Sequence, residues 1–92
     1  MSVRKDDAAE MEQMRAWVRH AAQTLNIAPE DYDSLEAPLL ALTRAVAHGA
    51  SRPGAPLTNY LAGLAAGRGA DAATVIEQLT ALANSYDEEP AQ

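Results

Sequence analysis

The chain has no cysteine, no phenylalanine and a single tryptophan among its 92 residues. Without cysteine there is no disulfide, no thiolate metal ligand and no thiol nucleophile, and the composition fits a reducing compartment. No apolar run approaches the roughly 18 residues that a membrane span needs. The charged start MSVRKDDAAEMEQ lacks the apolar stretch of a secretory leader. These absences set the expectation of a cytoplasmic protein without a membrane partner. A further absence is local. Between Ala37 and Ala70 there is no Asp or Glu, although the chain has thirteen of them. Arg44, Arg52 and Arg68 give that window +3, leaving −9 for the remainder of a chain whose net charge is −6. Such a division hints at an anion-tolerant face. The overall negative charge and the lack of a Lys/Arg cluster argue against a nucleic-acid partner, since phosphate contacts need clustered cations.

Alanine and leucine dominate, and β-branched residues are few. That balance favours helix over sheet residue by residue. The expected fold is all-α, a small four-helix antiparallel bundle spanning residues 7–86, with a loose arm over 1–6 and a disordered acidic tail over 87–92. In helix one, Met11, Met14, Trp17 or Val18, Ala21 and Leu25 recur at three- and four-residue intervals, and Asn26 fits a left-handed C-terminal cap. Pro29 opens a short helical turn in the connector. Helix two starts at Asp33 or Ser34, carries Leu35, Leu39, Leu42 and Val46 on one face, and stops at Gly49. Helix three starts at Pro56 or Thr58 and places Leu57, Tyr60, Leu61 and Leu64 in the core. Its Gly63-x-x-x-Gly67 spacing predicts close packing against helix two. Asp71 or Thr74 caps helix four, whose stripe is Val75, Leu79, Leu82 and Tyr86.

The residues offer little chemistry. His20 and His48 lie on different helices without an H-x-x-x-H partner, and the cluster Glu30, Asp31, Asp33 and Glu36 lacks the glycine and ligand spacing of a calcium loop. No metal or cofactor is expected. Ser51 follows His48 by three residues but has no orienting acid, so no catalytic residue is assigned and the chain is read as a non-enzyme. Arg52 in a Gly-Pro loop before a helix start would bring a guanidinium beside free N–H groups, a geometry suited to phosphate. The simpler role for Arg52 is to bond loop carbonyls, and for His48 to offset the negative end of helix two. Trp17 is read first as half-buried with its indole N–H toward solvent, and second as an anchor for a partner.

At Ala47-His48-Gly49, Arg52-Pro53, Ala55-Pro56-Leu57-Thr58 and Leu64-Ala65-Ala66-Gly67 the chain resembles a small actinobacterial domain of uncharacterised function. The likeness runs from about Met14 to Leu82. Gly54, where alanine is commoner in that family, and Asn59-Tyr60, where Thr-Phe is commoner, depart from its pattern. Members of that family occur alone or attached to the nucleotidyltransferase that makes molybdopterin guanine dinucleotide. The resemblance implies an association with molybdenum-cofactor biosynthesis, and it does not imply the transferase reaction, because no glycine-rich nucleotide-binding α/β domain is present. The expected function is therefore a non-enzymatic accessory module that binds a protein, either that transferase or a second copy of itself, through Trp17 or the Ala-Gly face of helix three. The alternative is an anion-binding domain in which Arg52, with His48, Thr58 and Arg68, holds a phosphate.

Overall fold

A computed structural model describes residues 5–86, with side chains from residue 7 onward. The fold is all-α: α1 (Lys5–Thr24), α2 (Glu36–Ala45), α3 (Gly54–Gly67) and α4 (Ala72–Ser85), with no strand among the described residues. The expected acidic tail over 87–92 and most of the expected arm lie outside the described residues, although Lys5 and Asp6 already belong to α1. The chain divides into two compact units, Met1–Ser34 and Leu35–Gln92.

In the first unit, α1 ends as its sequence prescribes. Asn26 adopts the left-handed conformation at φ 61°, where its short polar side chain costs little. Its N–H donates to the Gln23 carbonyl at 3.1 Å, and the Ile27 N–H reaches back to the Ala22 carbonyl at 2.9 Å. This pairing satisfies two of the carbonyls that a helix end leaves open. Pro29 opens the short 3₁₀ turn Pro29–Asp31, and a second such turn, Asp33–Leu35, precedes α2. Between Trp17 and Val18, it is Val18 that joins the partly buried side with Met11, Met14 and Ala21.

The second unit holds a core of Leu42, Val46, Ala55, Ala62, Ile76 and Ala83, where α2, α3 and α4 meet. Leu35 and Leu39 pack against this cluster, so the stripe read for helix two is the face that is buried. Helix two does not stop at Gly49. It continues as a π turn over Val46–Ala50 and ends at Ser51, whose N–H donates to the Val46 carbonyl at 2.8 Å. Helix three also starts earlier than read, at Gly54, with Pro56 inside its first turn, where the missing N–H costs little.

Of the stripe read for helix three, Leu64 is partly buried and the other three residues face outward. Leu57, Tyr60 and Leu61 are 67, 66 and 58 % exposed, while Ala55 and Ala62 are buried. Two patterns with helical spacing share this helix, and the small one wins because alanines let the α3 backbone approach its neighbours closely. Most polar groups on that inner side have partners. The Thr58 hydroxyl donates to the Gly54 carbonyl at 2.9 Å, and the Asn59 amide donates to the Thr43 hydroxyl of α2 at 2.9 Å. The other Asn59 amide atom, Oδ1, is buried without a partner among the described residues. Gly63 and Gly67 do not serve close packing, since a Cβ at either would meet nothing within 4 Å. In α4 the inner residues are Ile76 and Ala83, with Val75 and Leu79 beside them, and Leu82 and Tyr86 are exposed.

Two caps fix the last connection. Gly69 has φ 109°, and the Ala70 N–H donates to the Ala65 carbonyl at 3.0 Å, closing α3 as Asn26 closes α1. Asp71 then caps α4: its carboxylate accepts from the Thr74 N–H at 3.0 Å and from the Thr74 hydroxyl at 2.8 Å. These bonds, the hydroxyl's first, hold the Asp71 carboxyl below its ordinary pKa. A depressed carboxyl pKa adds stability that is complete above the unfolded-state value and is lost as pH falls through the folded one. Asp71→Ala is therefore expected to melt at a lower temperature than the parent at neutral pH. The gap should close as the pH drops below the ordinary value of 3.8, and thermal melts across that range check it.

Candidate functional site

The structure scatters the residues that the sequence grouped. Arg52 is exposed, and its side chain has no ion pair or hydrogen bond among the described residues. The free N–H groups expected beside it are engaged: Gly54 N–H donates to the Ser51 carbonyl at 3.1 Å, Ala55 N–H to the Arg52 carbonyl at 3.2 Å, and Pro56 has none to offer. Thr58 lies one turn inside α3 with its hydroxyl turned to Gly54. Arg68 closes α3 through its backbone N–H, and its side chain is exposed. Trp17 is 66 % exposed, which removes the half-buried reading. Its ring centroid lies 6.3 Å from that of His20, at 47°.

His48 is the candidate that gains neighbours, and Arg52 is not among them. A groove of about 490 Å³ runs between α2 and α4. Its floor is Ala41, Ala45, Gly49 and Ala83, none larger than a methyl side chain. Around it stand Arg44 and His48 from one side and Thr80, Asn84 and Tyr86 from the other. Arg44 and His48 share a rim because they are four residues apart on one continuous helical path. Glycine at 49 allows the π turn to lie against α4, since a Cβ there would sit 3.0 Å from the Ala83 carbonyl oxygen. A smaller hollow of about 360 Å³ adjoins at Ala41 and Thr80 and carries Glu77. The Arg44–His48 pair at this spacing was visible in the sequence. Its meeting with Asn84 and Tyr86 depends on how α4 packs and was not.

The second surface of note is the outer side of α3. This helix contains no charged residue over its 14 positions, and Leu57, Tyr60 and Leu61 stand outward together with Gly63 and Gly67. Arg52 precedes the helix and Arg68 follows it.

Among the described residues no group of three His, Asp or Glu side chains is placed to hold a metal ion, and no helix is long and apolar enough to cross a membrane. Comparison with known proteins gives a family match. Residues 9–91 fit the family model of a domain of unknown function, DUF6457. No curated protein and no solved structure matches the chain.

Proposed function

The chain belongs to the DUF6457 family of domains, and on that premise we propose that it is a non-enzymatic interaction module that docks a protein partner on the outer side of α3. One observation carries this reading: an uncharged helix presents Leu57, Tyr60 and Leu61 to solvent at i, i+3 and i+4. Exposed leucines are ordinary singly. A contiguous row of them with a tyrosine is the composition of a docking anchor. Gly63 and Gly67 flank the row with open space beside them, which would let a partner's backbone approach closely.

Charge selects between occupants. A two-fold pairing of α3 with its own copy in antiparallel fashion brings Arg52 of one toward Arg68 of the other, a like-charge contact at both ends. A partner segment with an apolar centre and acidic flanks meets the same two arginines favourably, and such complementarity speeds encounter and rejects wrong partners. The chain's resemblance to domains attached to the molybdopterin guanine dinucleotide nucleotidyltransferase supports that enzyme as the partner, with an accessory role for the module in molybdenum-cofactor biosynthesis within the cytoplasm.

Leu61→Ala alone should change stability by no more than about 0.5 kcal/mol, as for other surface substitutions. The combined variant Leu57→Ser, Tyr60→Ser, Leu61→Ser should therefore stay folded by circular dichroism and lose affinity for the purified transferase at least about tenfold in titration calorimetry. Unchanged affinity in the folded triple variant, or no binding by the parent, would end the proposal. A dimer of the parent that the triple variant abolishes would replace the transferase with a second copy.

A further inference from the structure

We propose that the groove between α2 and α4 binds a small organic anion, a phosphate or carboxylate carried on a flat apolar body. Its volume of about 490 Å³ falls within the range of roughly 300–1,000 Å³ in which small-molecule sites occur. The alanine and glycine floor leaves room for a flat body against the helices, and the Tyr86 ring stands at one side of it. The polar groups stand along its two sides. Arg44 offers a planar fork of N–H donors matched to two oxygens of an oxyanion, His48 stands one turn further on, and Asn84 offers an amide. Thr80 adds no free donor, because its hydroxyl is committed to the Ile76 carbonyl at 2.8 Å.

Basic side chains in the last turn of a helix also offset the negative end of its dipole. That role accounts for Arg44 and His48 being on this part of α2. It does not call for Asn84 and Tyr86 to face them from another helix, nor for an empty space of ligand size between. Neither Arg44 nor His48 has a side-chain ion pair or hydrogen bond among the described residues. Among the described residues no carboxylate lines this groove, and Glu77 stands in the adjoining hollow, about two turns of α4 before Asn84. In a chain with a net charge of −6, the Arg44 cation with the His48 imidazole beside it sets the charge of a ligand and its orientation: oxyanion toward Arg44 and His48, apolar body along the alanines.

The site lies on α2 and α4 and does not depend on docking at α3. Amide NMR shifts of the full chain titrated with phenyl phosphate, benzoate, inorganic phosphate and phenol provide the test. Phenyl phosphate or benzoate should saturate shifts confined to residues 44–50 and 80–86, inorganic phosphate should bind more weakly, and phenol should not bind. Whichever of the first two binds more tightly identifies the headgroup. Arg44→Gln should weaken the binding by at least about tenfold, the ratio one charge-assisted hydrogen bond supplies. Arg19→Gln, which removes the same charge from an exposed position of α1, should leave it unchanged. The proposal fails if neither aromatic anion saturates at about ten times a millimolar Kd. It fails equally if the shifts map elsewhere, or if both arginine variants weaken binding alike.

Discussion

Leu42→Ala is expected to lower stability by about 2–5 kcal/mol, the cost of deleting a buried leucine together with the cavity left behind. Leu42 is the largest fully buried side chain in the described structure, at 0 % exposure, and it touches the cluster from α2. The surrounding residues make relaxation difficult. Ala55, Ala62 and Ala83 have no side chain to swing into the gap, and Val46 has one stiff torsion. The loss is therefore expected toward the upper half of the range. For a chain of this length, total stability is roughly 5–14 kcal/mol, so the substitution removes about a quarter or more of it. Thermal unfolding followed by circular dichroism should show a midpoint at least about 10 °C lower. Leu42→Met, which keeps the volume, should cost less than about 1.5 kcal/mol. If Leu42→Ala melts within a degree or two of the parent, the core lies elsewhere.

Helix content and most helix ends were legible in the sequence because they depend on local chemistry. Asn26, Pro29 and Asp71 act within a turn of where they stand, through φ preference, a missing N–H and a side-chain acceptor. The stripe of α2 was legible because only one apolar pattern occupies that helix. On α3 the inner and outer sides are both apolar, and periodicity does not say which of two stripes is inside. Size decided it: Ala55 and Ala62 allow close approach, whereas Leu57 and Leu61 would hold the helices apart. Gly49 was read as a stop because glycine disfavours helix. Its actual service is to make space at Ala83, a contact more than thirty residues away in the chain.

The acid-free window behaves in the same way. Its three arginines are neighbours in charge accounting only. Arg44 lines the groove, Arg52 stands exposed in the connection before α3, and Arg68 closes that helix. A helix rotates successive side chains by about 100°, so cations eight and sixteen residues apart with a loop between share no face by necessity. What the window does secure is negative: no carboxylate from residue 37 to residue 70 is available to neutralise either the groove rim on α2 or the ends of α3. Both proposed surfaces draw on that.

Gly49→Ala should destabilise the protein although it replaces a glycine by the best helix former. Relieving the backbone freedom of a helical glycine is worth about 0.5–1 kcal/mol, and Gly49 lies inside a helical turn. Against this, the new Cβ would stand 3.0 Å from the Ala83 carbonyl oxygen and 3.9 Å from its carbon. The obstacle is backbone of α4, which cannot rotate away as a side-chain tip can, and overpacking of this kind costs about 1–3 kcal/mol. The clash outweighs the propensity gain, and Gly49→Val, with further atoms on Cβ, should be worse. Gly63→Ala supplies the opposite sign. A Cβ there meets nothing within 4 Å, so only the propensity term remains, and the variant should gain about 0.5–1 kcal/mol. Urea unfolding of the three variants beside the parent separates the effects, since unchanged slopes with displaced midpoints report stability alone. Gly49→Ala and Gly63→Ala shifting together in the same direction would mean that the π turn and α4 do not touch at this point. The narrow groove beside Arg44 and His48 would then lose the contact that shapes its floor.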